Sequence, residues 1–192
     1  MIKVDQPSMA LNAVDVPGAH HMMWNTWTVA ANETSGHILY WIASVVTGSP
    51  GGYLKMVILN CHGFYGTGSS GKSTGGFGLK LGQGIHRSDT KLFSKPKGKV
   101  ANIWITACGT ARISVPGTSG EGDGNLFCSE IAQNSGAYVV AATTHQVGDS
   151  SLPNGYIDDF EGLVVRYNPA GAVDWSKDYV RNFFDGLVNG WD

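Results

Sequence analysis

The chain has 192 residues, the size of one domain with a substantial hydrophobic core. Hydrophobic residues make up 42% and charged residues 15%, a composition that excludes an intrinsically disordered chain. The formal net charge of −2 provides no electrostatic attraction to nucleic acid or to an anionic membrane, so neither is an expected partner.

The chain is predicted to form a single domain over residues 1–192, and its first half already shows strands that alternate with helices. Residues 1–20 are weakly patterned and are interpreted as a loose N-terminal arm. Residues 22–31 predict a strand, and Asn32 is a suitable N-cap for a helix that runs to about Val46. The apolar run 53–60 is typical of a strand that is covered on both faces.

The second half of the chain continues this alternation. In chain order it predicts a short strand within 77–85, a short helix capped by Ser88, a buried strand over 99–107, a helix over 125–134 capped by Asp123 and ended by Gly136, a buried strand over 137–144, a hairpin over 162–175 and a closing helix over 179–188. Apolar strands that alternate with helices predict an α/β fold, a three-layer α/β/α sandwich with a mostly parallel central sheet.

Two of the predicted buried strands end in reactive side chains. One strand ends in Asn60-Cys61-His62-Gly63, and the other ends in Thr106-Ala107-Cys108-Gly109. Because parallel sheets place their sites at the carboxyl ends of the strands, we expect His62 and Cys108 to meet at one edge. A cysteine nucleophile needs its thiolate, and a nearby imidazole takes the thiol proton and later returns it to the leaving group.

The residues around this pair have predicted roles as well. Gly63 permits a close approach of the backbone, and the N–H groups of Gly63 and Cys108 are candidates for an oxyanion hole. Cys61 points to the opposite face of the strand from His62, and Cys128 lies in the predicted helix beside apolar residues. Both are therefore interpreted as core residues.

An apolar strand ending in His-Gly, followed by one ending in Ala-Cys, resembles the caspase-like clan of cysteine peptidases, which includes caspases, metacaspases, clostripain and gingipains. The motifs here are Val57-Ile-Leu-Asn-Cys-His62-Gly63 and Ile103-Trp-Ile-Thr-Ala-Cys108-Gly109, 46 positions apart at the reactive pair, near the roughly 50 expected for caspases. The resemblance covers about half of the chain. It implies a caspase-like fold and peptide cleavage through a thioester, in a bacterial type of relative.

The sequence departs from caspases proper beside the cysteine. Their Gln-Ala-Cys-x-Gly signature is absent, because Thr106 precedes Ala107 and Thr110 occupies the position of the glycine. The resemblance therefore does not imply cleavage after aspartate.

The resemblance also implies where substrate binds. In caspase-like folds the end of the third buried strand borders the pocket for the residue before the cleaved bond, which makes His145, Gln146 and Asp149 the candidate substrate-binding residues. Asp158 and Asp159 lie in the next loop. An acidic pocket would favour Lys or Arg substrates by charge pairing, and solvated loop carboxylates are the alternative interpretation.

The segment Gly66-Thr-Gly-Ser-Ser-Gly-Lys72-Ser73 matches the P-loop pattern and supports a competing hypothesis. A P-loop requires a helix that begins at the Lys-Ser step and binds phosphate at its N-terminus. The following glycines disfavour that helix by about 1 kcal/mol each. The segment is therefore interpreted as a flap beside His62, and nucleotide hydrolysis remains an alternative. An inactive caspase-like binding or scaffold protein is the other alternative.

The expected partner is a peptide or protein substrate, and the oligomeric state is left open. No cofactor or metal is expected, because His20, His21 and His37 match no tight ligand spacing. Three cysteines are too few, and odd in number, for a disulfide framework. No signal peptide or membrane-spanning stretch is expected, so the chain is predicted to be cytoplasmic or secreted by a signal-free route.

Overall fold

The computed structural model describes residues 1–16, 18–64, 78–112, 123–144, 146, 148 and 151–179. The strands within these ranges are β1 (Ile2–Lys3), β2 (Ser8–Ala13), β3 (Asn25–Val29), β4 (Leu54–Asn60), β5 (His62–Phe64), β6 (Gly78–Lys80), β7 (Val100–Ile105), β8 (Tyr138–Ala142), β9 (Tyr156–Ile157), β10 (Gly162–Tyr167) and β11 (Val173–Tyr179). The helices within them are α1 (Ser35–Gly48), α2 (Gly124–Ser135) and the 3-10 helices Pro50–Gly52 and Arg87–Ser94.

A seven-stranded sheet in the order β11-β10-β8-β7-β4-β2-β3 forms the centre of the fold. Strands β3, β2, β4, β7 and β8 are parallel, whereas β10 is antiparallel to both β8 and β11. The predicted α/β class and the mostly parallel sheet are confirmed. Strands β4 and β7 are neighbours with Leu59 opposite Ile105, so the chain leaves both strands at the same edge, immediately before His62 and Cys108.

Both faces of the sheet are covered, which explains the apolar runs of β4, β7 and β8. On one face, side chains such as Leu59 and Ile105 share a core with residues of α1 and α2. On the other face, Ile58 and Val140 pack with Phe160 and with residues of β9. Both described α-helices thus contribute to the same face of the sheet.

The interpretation of residues 1–20 as a loose arm is wrong. Ser8–Ala13 forms β2, an inner strand between β3 and β4 whose six residues are all buried. Its sequence lacks a strand signal because small and polar residues interrupt the apolar ones. The polar members are accommodated by hydrogen bonds: the Ser8 hydroxyl donates to the carbonyl of Asp5, and the Asn12 amide bonds to the backbone of His21.

The helix ends follow local chemistry. The Thr34 side chain, not that of Asn32, caps α1 by accepting the N–H of His37. Asp123 caps α2 as predicted, and Gly136 ends it with a φ of 67°. The short helix expected after an N-cap at Ser88 is a 3-10 helix, and its N-cap is His86, two residues earlier.

Two further predictions fall at the end of the chain. The hairpin over 162–175 is confirmed as β10 and β11. The closing helix predicted over 179–188 is wrong at Tyr179, which is the last residue of β11, and its remainder lies outside the described residues. Among the helices of the described ranges, none has the length and hydropathy needed to cross a bilayer.

Candidate active site

His62 is positioned by two strands and one loop. It opens β5, immediately beyond the end of β4, and β5 pairs with β6 so that His62 lies opposite Lys80. The Nε2 atom of His62 is 3.1 Å from the backbone carbonyl oxygen of Asp15. Since a carbonyl oxygen only accepts, Nε2 carries the proton of the neutral imidazole, which leaves Nδ1 as the proton acceptor.

Cys108 lies in the turn that follows β7. The N–H of Gly109 donates to the carbonyl of Thr144 at 2.8 Å, and the N–H of Ala111 donates to the carbonyl of Ala142 at 3.0 Å, so the turn is attached to the end of β8. Gly109 has a φ of 61°, a left-handed conformation that favours glycine. Cys108 is therefore held at the carboxyl end of β7, where the sequence placed it.

Gly63 brings the His62 and Cys108 segments into contact. A Cβ atom at position 63 would lie 2.0 Å from the carbonyl oxygen of Cys108 and 3.1 Å from its carbonyl carbon. No side chain fits at that distance. The sequence assigned Gly63 to a close approach of backbone to substrate, whereas the structure gives it a close approach to the backbone of Cys108. Its contribution to an oxyanion hole stays a prediction.

His62, Cys108 and Gln146 line one cleft at this edge of the sheet. The same cleft is lined by Asp158 and Asp159, the two acidic residues singled out in the sequence. Of the three predicted substrate-binding residues, Gln146 is thus beside the reactive pair, and the other two, His145 and Asp149, lie outside the described residues. The P-loop-like segment 66–73 also lies outside them.

The Cys108 thiol is in contact with backbone groups of Gln146. The Gln146 N–H donates to Sγ at 3.3 Å, and Sγ lies 3.6 Å from the Gln146 carbonyl oxygen. Burial raises the pKa of the Cys108 thiol, and the carboxylate of Glu161 raises it further, while the N–H groups of Gln146 and of Cys108 itself oppose this rise. The resting residue is therefore a neutral thiol, and nucleophilic attack requires a base.

The side chain of Gln146 bonds to the backbone of Glu161 at both ends. Its Oε1 accepts the Glu161 N–H at 3.0 Å, and its Nε2 donates to the Glu161 carbonyl at 2.9 Å. Gln146 therefore touches the thiol through its backbone, and its predicted role in substrate binding stays a prediction. Glu161 is only 6% exposed, and no local pattern predicts its burial, because that burial depends on tertiary contacts.

His21 is a second imidazole in the cleft, and its position was not anticipated. It is 4% exposed, and its Nδ1 has no hydrogen-bond partner among the described residues. Burial lowers the pKa of His21 to about 4, with His20 acting in the same direction and Asp158 opposing it. His21 is therefore neutral near pH 7. A strand prediction for β2 would have placed the loop with His21 at this edge.

The other two cysteines are core residues, as predicted. Cys61 and Cys128 are buried, and burial strongly raises the pKa of each thiol. Within the described part of the chain, no three His, Cys, Asp or Glu side chains are grouped in a way that suits a metal ion.

No protein-family model, curated protein or solved structure matches this chain. Function is therefore inferred from the side chains and the backbone groups of the cleft.

Proposed function

We propose that the chain is a cysteine peptidase with a caspase-like sandwich fold, in which Cys108 attacks a peptide carbonyl and His62 transfers protons. One observation carries the proposal. His62 and Cys108 follow adjacent parallel strands, line the same cleft, and belong to segments that touch where Gly63 packs on the backbone of Cys108.

The chemistry begins with the neutral thiol of Cys108. Its proton passes to Nδ1 of His62, because Nε2 already holds a proton directed at the carbonyl of Asp15. The sulfur then bonds to the scissile carbonyl carbon, and the carbonyl oxygen becomes an oxyanion. The N–H groups of Gly63 and Cys108 are the proposed donors to it, and loss of one such donor typically raises the barrier by about 3–4 kcal/mol.

Three proton transfers complete the cycle. When the tetrahedral intermediate collapses, the C–N bond breaks and the amine leaves with the proton from His62, so that a thioester remains on Cys108. Water then attacks the thioester and gives a proton to His62. The C–S bond breaks, the acid product leaves, and the proton returns to the sulfur.

The charges of the cleft favour a basic residue next to the cleaved bond. Asp158 and Asp159 line the cleft, and the carboxylate of Glu161 is near enough to raise the pKa of Cys108. A Lys or Arg side chain entering this region is attracted by these carboxylates, of which Asp159 already pairs with the N-terminal ammonium of Met1, whereas an aspartate side chain is repelled.

Cleavage of fluorogenic peptides tests the proposal. The panel carries Lys, Arg, Leu or Asp before the cleaved bond and is assayed with wild type, Cys108→Ala, His62→Ala and the control His37→Ala, which changes an exposed histidine of α1. We expect cleavage of basic peptides, a loss of at least about 1,000-fold in Cys108→Ala and His62→Ala, and wild-type rates in the control.

If Cys108→Ala cleaves as fast as wild type, the proposal fails. If wild type cleaves no peptide and no thiol electrophile labels Cys108, an inactive binding protein on the same fold is favoured instead.

A further inference from the structure

Three polar side chains form a hydrogen-bonded chain at the base of the cleft, and two of them, Asn60 and Thr106, line it. They are Asn12 of β2, Asn60 at the end of β4 and Thr106 directly after β7, on three neighbouring strands. The Asn60 Nδ2 donates to the Asn12 Oδ1 at 2.8 Å, and the Thr106 hydroxyl donates to the Asn60 Oδ1 at 3.2 Å. Asn12 is 0% and Asn60 is 5% exposed. Amides this deeply buried cost free energy unless they are bonded.

The remaining bonds of this chain hold the loop between β2 and β3. Asn12 bonds to both backbone groups of His21, since its Oδ1 accepts the N–H at 2.8 Å and its Nδ2 donates to the carbonyl at 3.1 Å. Asn60 donates to the carbonyl of Ala19 at 3.2 Å. Two strand ends therefore fasten one loop at two separate points.

The fastened loop is the one that orients His62. It contains Asp15, whose backbone carbonyl accepts the Nε2–H of His62. Asn60 is also only two residues before His62 in the chain. A displacement of the loop would release the imidazole from its acceptor, while a displacement of Asn60 would move both the loop and the strand end that carries His62.

We infer that Asn12 and Asn60 are positioning residues, which hold the carbonyl of Asp15 against His62 so that Nε2 stays protonated and Nδ1 faces the reaction as a base. The catalytic consequence rests on the proposed function. The orientation of His62 does not, because it is a property of the free protein. Replacing a residue that orients a metal-bound histidine typically changes activity by about 10–100-fold, and we expect an effect at the lower end of that range here.

Histidine-selective ¹⁵N NMR of the full chain tests the inference. The variants are Asn60→Ala, which removes both donors to Asn12 and Ala19, and the matched control Asn102→Ala. Asn102 also donates its amide to a backbone carbonyl, that of Lys55 at 3.2 Å, but it does so away from the cleft. Wild type and the control should show His62 with Nδ1 as the unprotonated nitrogen. In Asn60→Ala the two ring nitrogens should move toward each other in chemical shift as the tautomers mix.

Peptidase kinetics provide the second readout. Asn60→Ala should lower kcat by about 10-fold, because the base is disordered. KM should change by less than about twofold, because Asn60 is 5% exposed and its amide is already bonded to Asn12 and Ala19. Should Asn60→Ala not fold, Thr106→Val replaces it. That variant keeps the side-chain volume and removes the hydroxyl that donates a hydrogen bond to Asn60. It should change the His62 nitrogen chemical shifts in the same direction by a smaller amount.

The two readouts separate the two failures. Unchanged His62 nitrogen shifts in a folded Asn60→Ala or Thr106→Val would overturn the inference, whatever the activity. Shifted nitrogens in a protein whose wild type cleaves no peptide would support the positioning role and count against the peptidase.

Discussion

Stability below neutral pH is expected to depend on His21. Burial holds the pKa of the folded His21 at about 4, below its ordinary value of 6.5, so the unfolded chain binds a proton at this site more readily. The stability that comes from keeping His21 neutral in the folded state is fully present above about pH 6.5 and is lost as the pH falls toward 4. Between pH 7.5 and pH 4.5 this one group should remove about 2.5 kcal/mol of the free energy of unfolding.

Urea unfolding followed by tryptophan fluorescence at several pH values measures this loss. Wild type is compared with His21→Gln and with His37→Gln, which replaces a histidine that is 51% exposed. Carboxylates that titrate in this range affect all three proteins, so the difference between them isolates His21. Wild type and His37→Gln should lose about 2.5 kcal/mol more than His21→Gln on acidification. Equal losses in all three would refute the argument.

Three further outcomes are expected. Gly63→Ala should destabilise the fold by at least about 3 kcal/mol in urea unfolding, because its Cβ would overlap the carbonyl of Cys108. In the control Gly48→Ala the new Cβ meets nothing within 4 Å, so this variant should be neutral or slightly stabilising. Similar values for the two variants would contradict the close approach of Gly63 to Cys108. Iodoacetamide should add one label to the folded protein, at Cys108, since the other thiols are buried, and a second rapid label detected by mass spectrometry would count against this. Asp123→Ala should cost about 1 kcal/mol in the same unfolding assay through loss of the α2 cap, and no measurable change would argue that the cap does not act.

The strands that carry the reactive pair were predictable because their environment leaves a trace in the sequence. β4, β7 and β8 are covered on both faces, so they are nearly continuous apolar runs, and the reactive residues stand where those runs stop. β2 has the same environment but a different composition. Its Asn12 is buried only because Asn60 and the loop backbone satisfy the amide, and those partners are distant in sequence.

The surroundings of the thiol were less predictable for the same reason. Glu161 and His21 are charged or titratable residues in loops, and local pattern favours exposure for both. Glu161 is held in place by its two backbone bonds to the Gln146 side chain, and His21 is held by its bonds to Asn12. The start of α1 was missed by two residues, because Asn32 and Thr34 are both good caps and only the folded backbone selects between them.

The place of β2 in the sheet also affects how the chain is made. β2 precedes both of its partners in the sequence. It therefore leaves the ribosome with two unpaired edges, which stay unpaired until β3 and then β4 have been synthesised. Parallel pairing of this kind is slow, because each partner must return through a crossover. During that interval both edges of Ser8–Ala13 are open to pairing with another nascent chain.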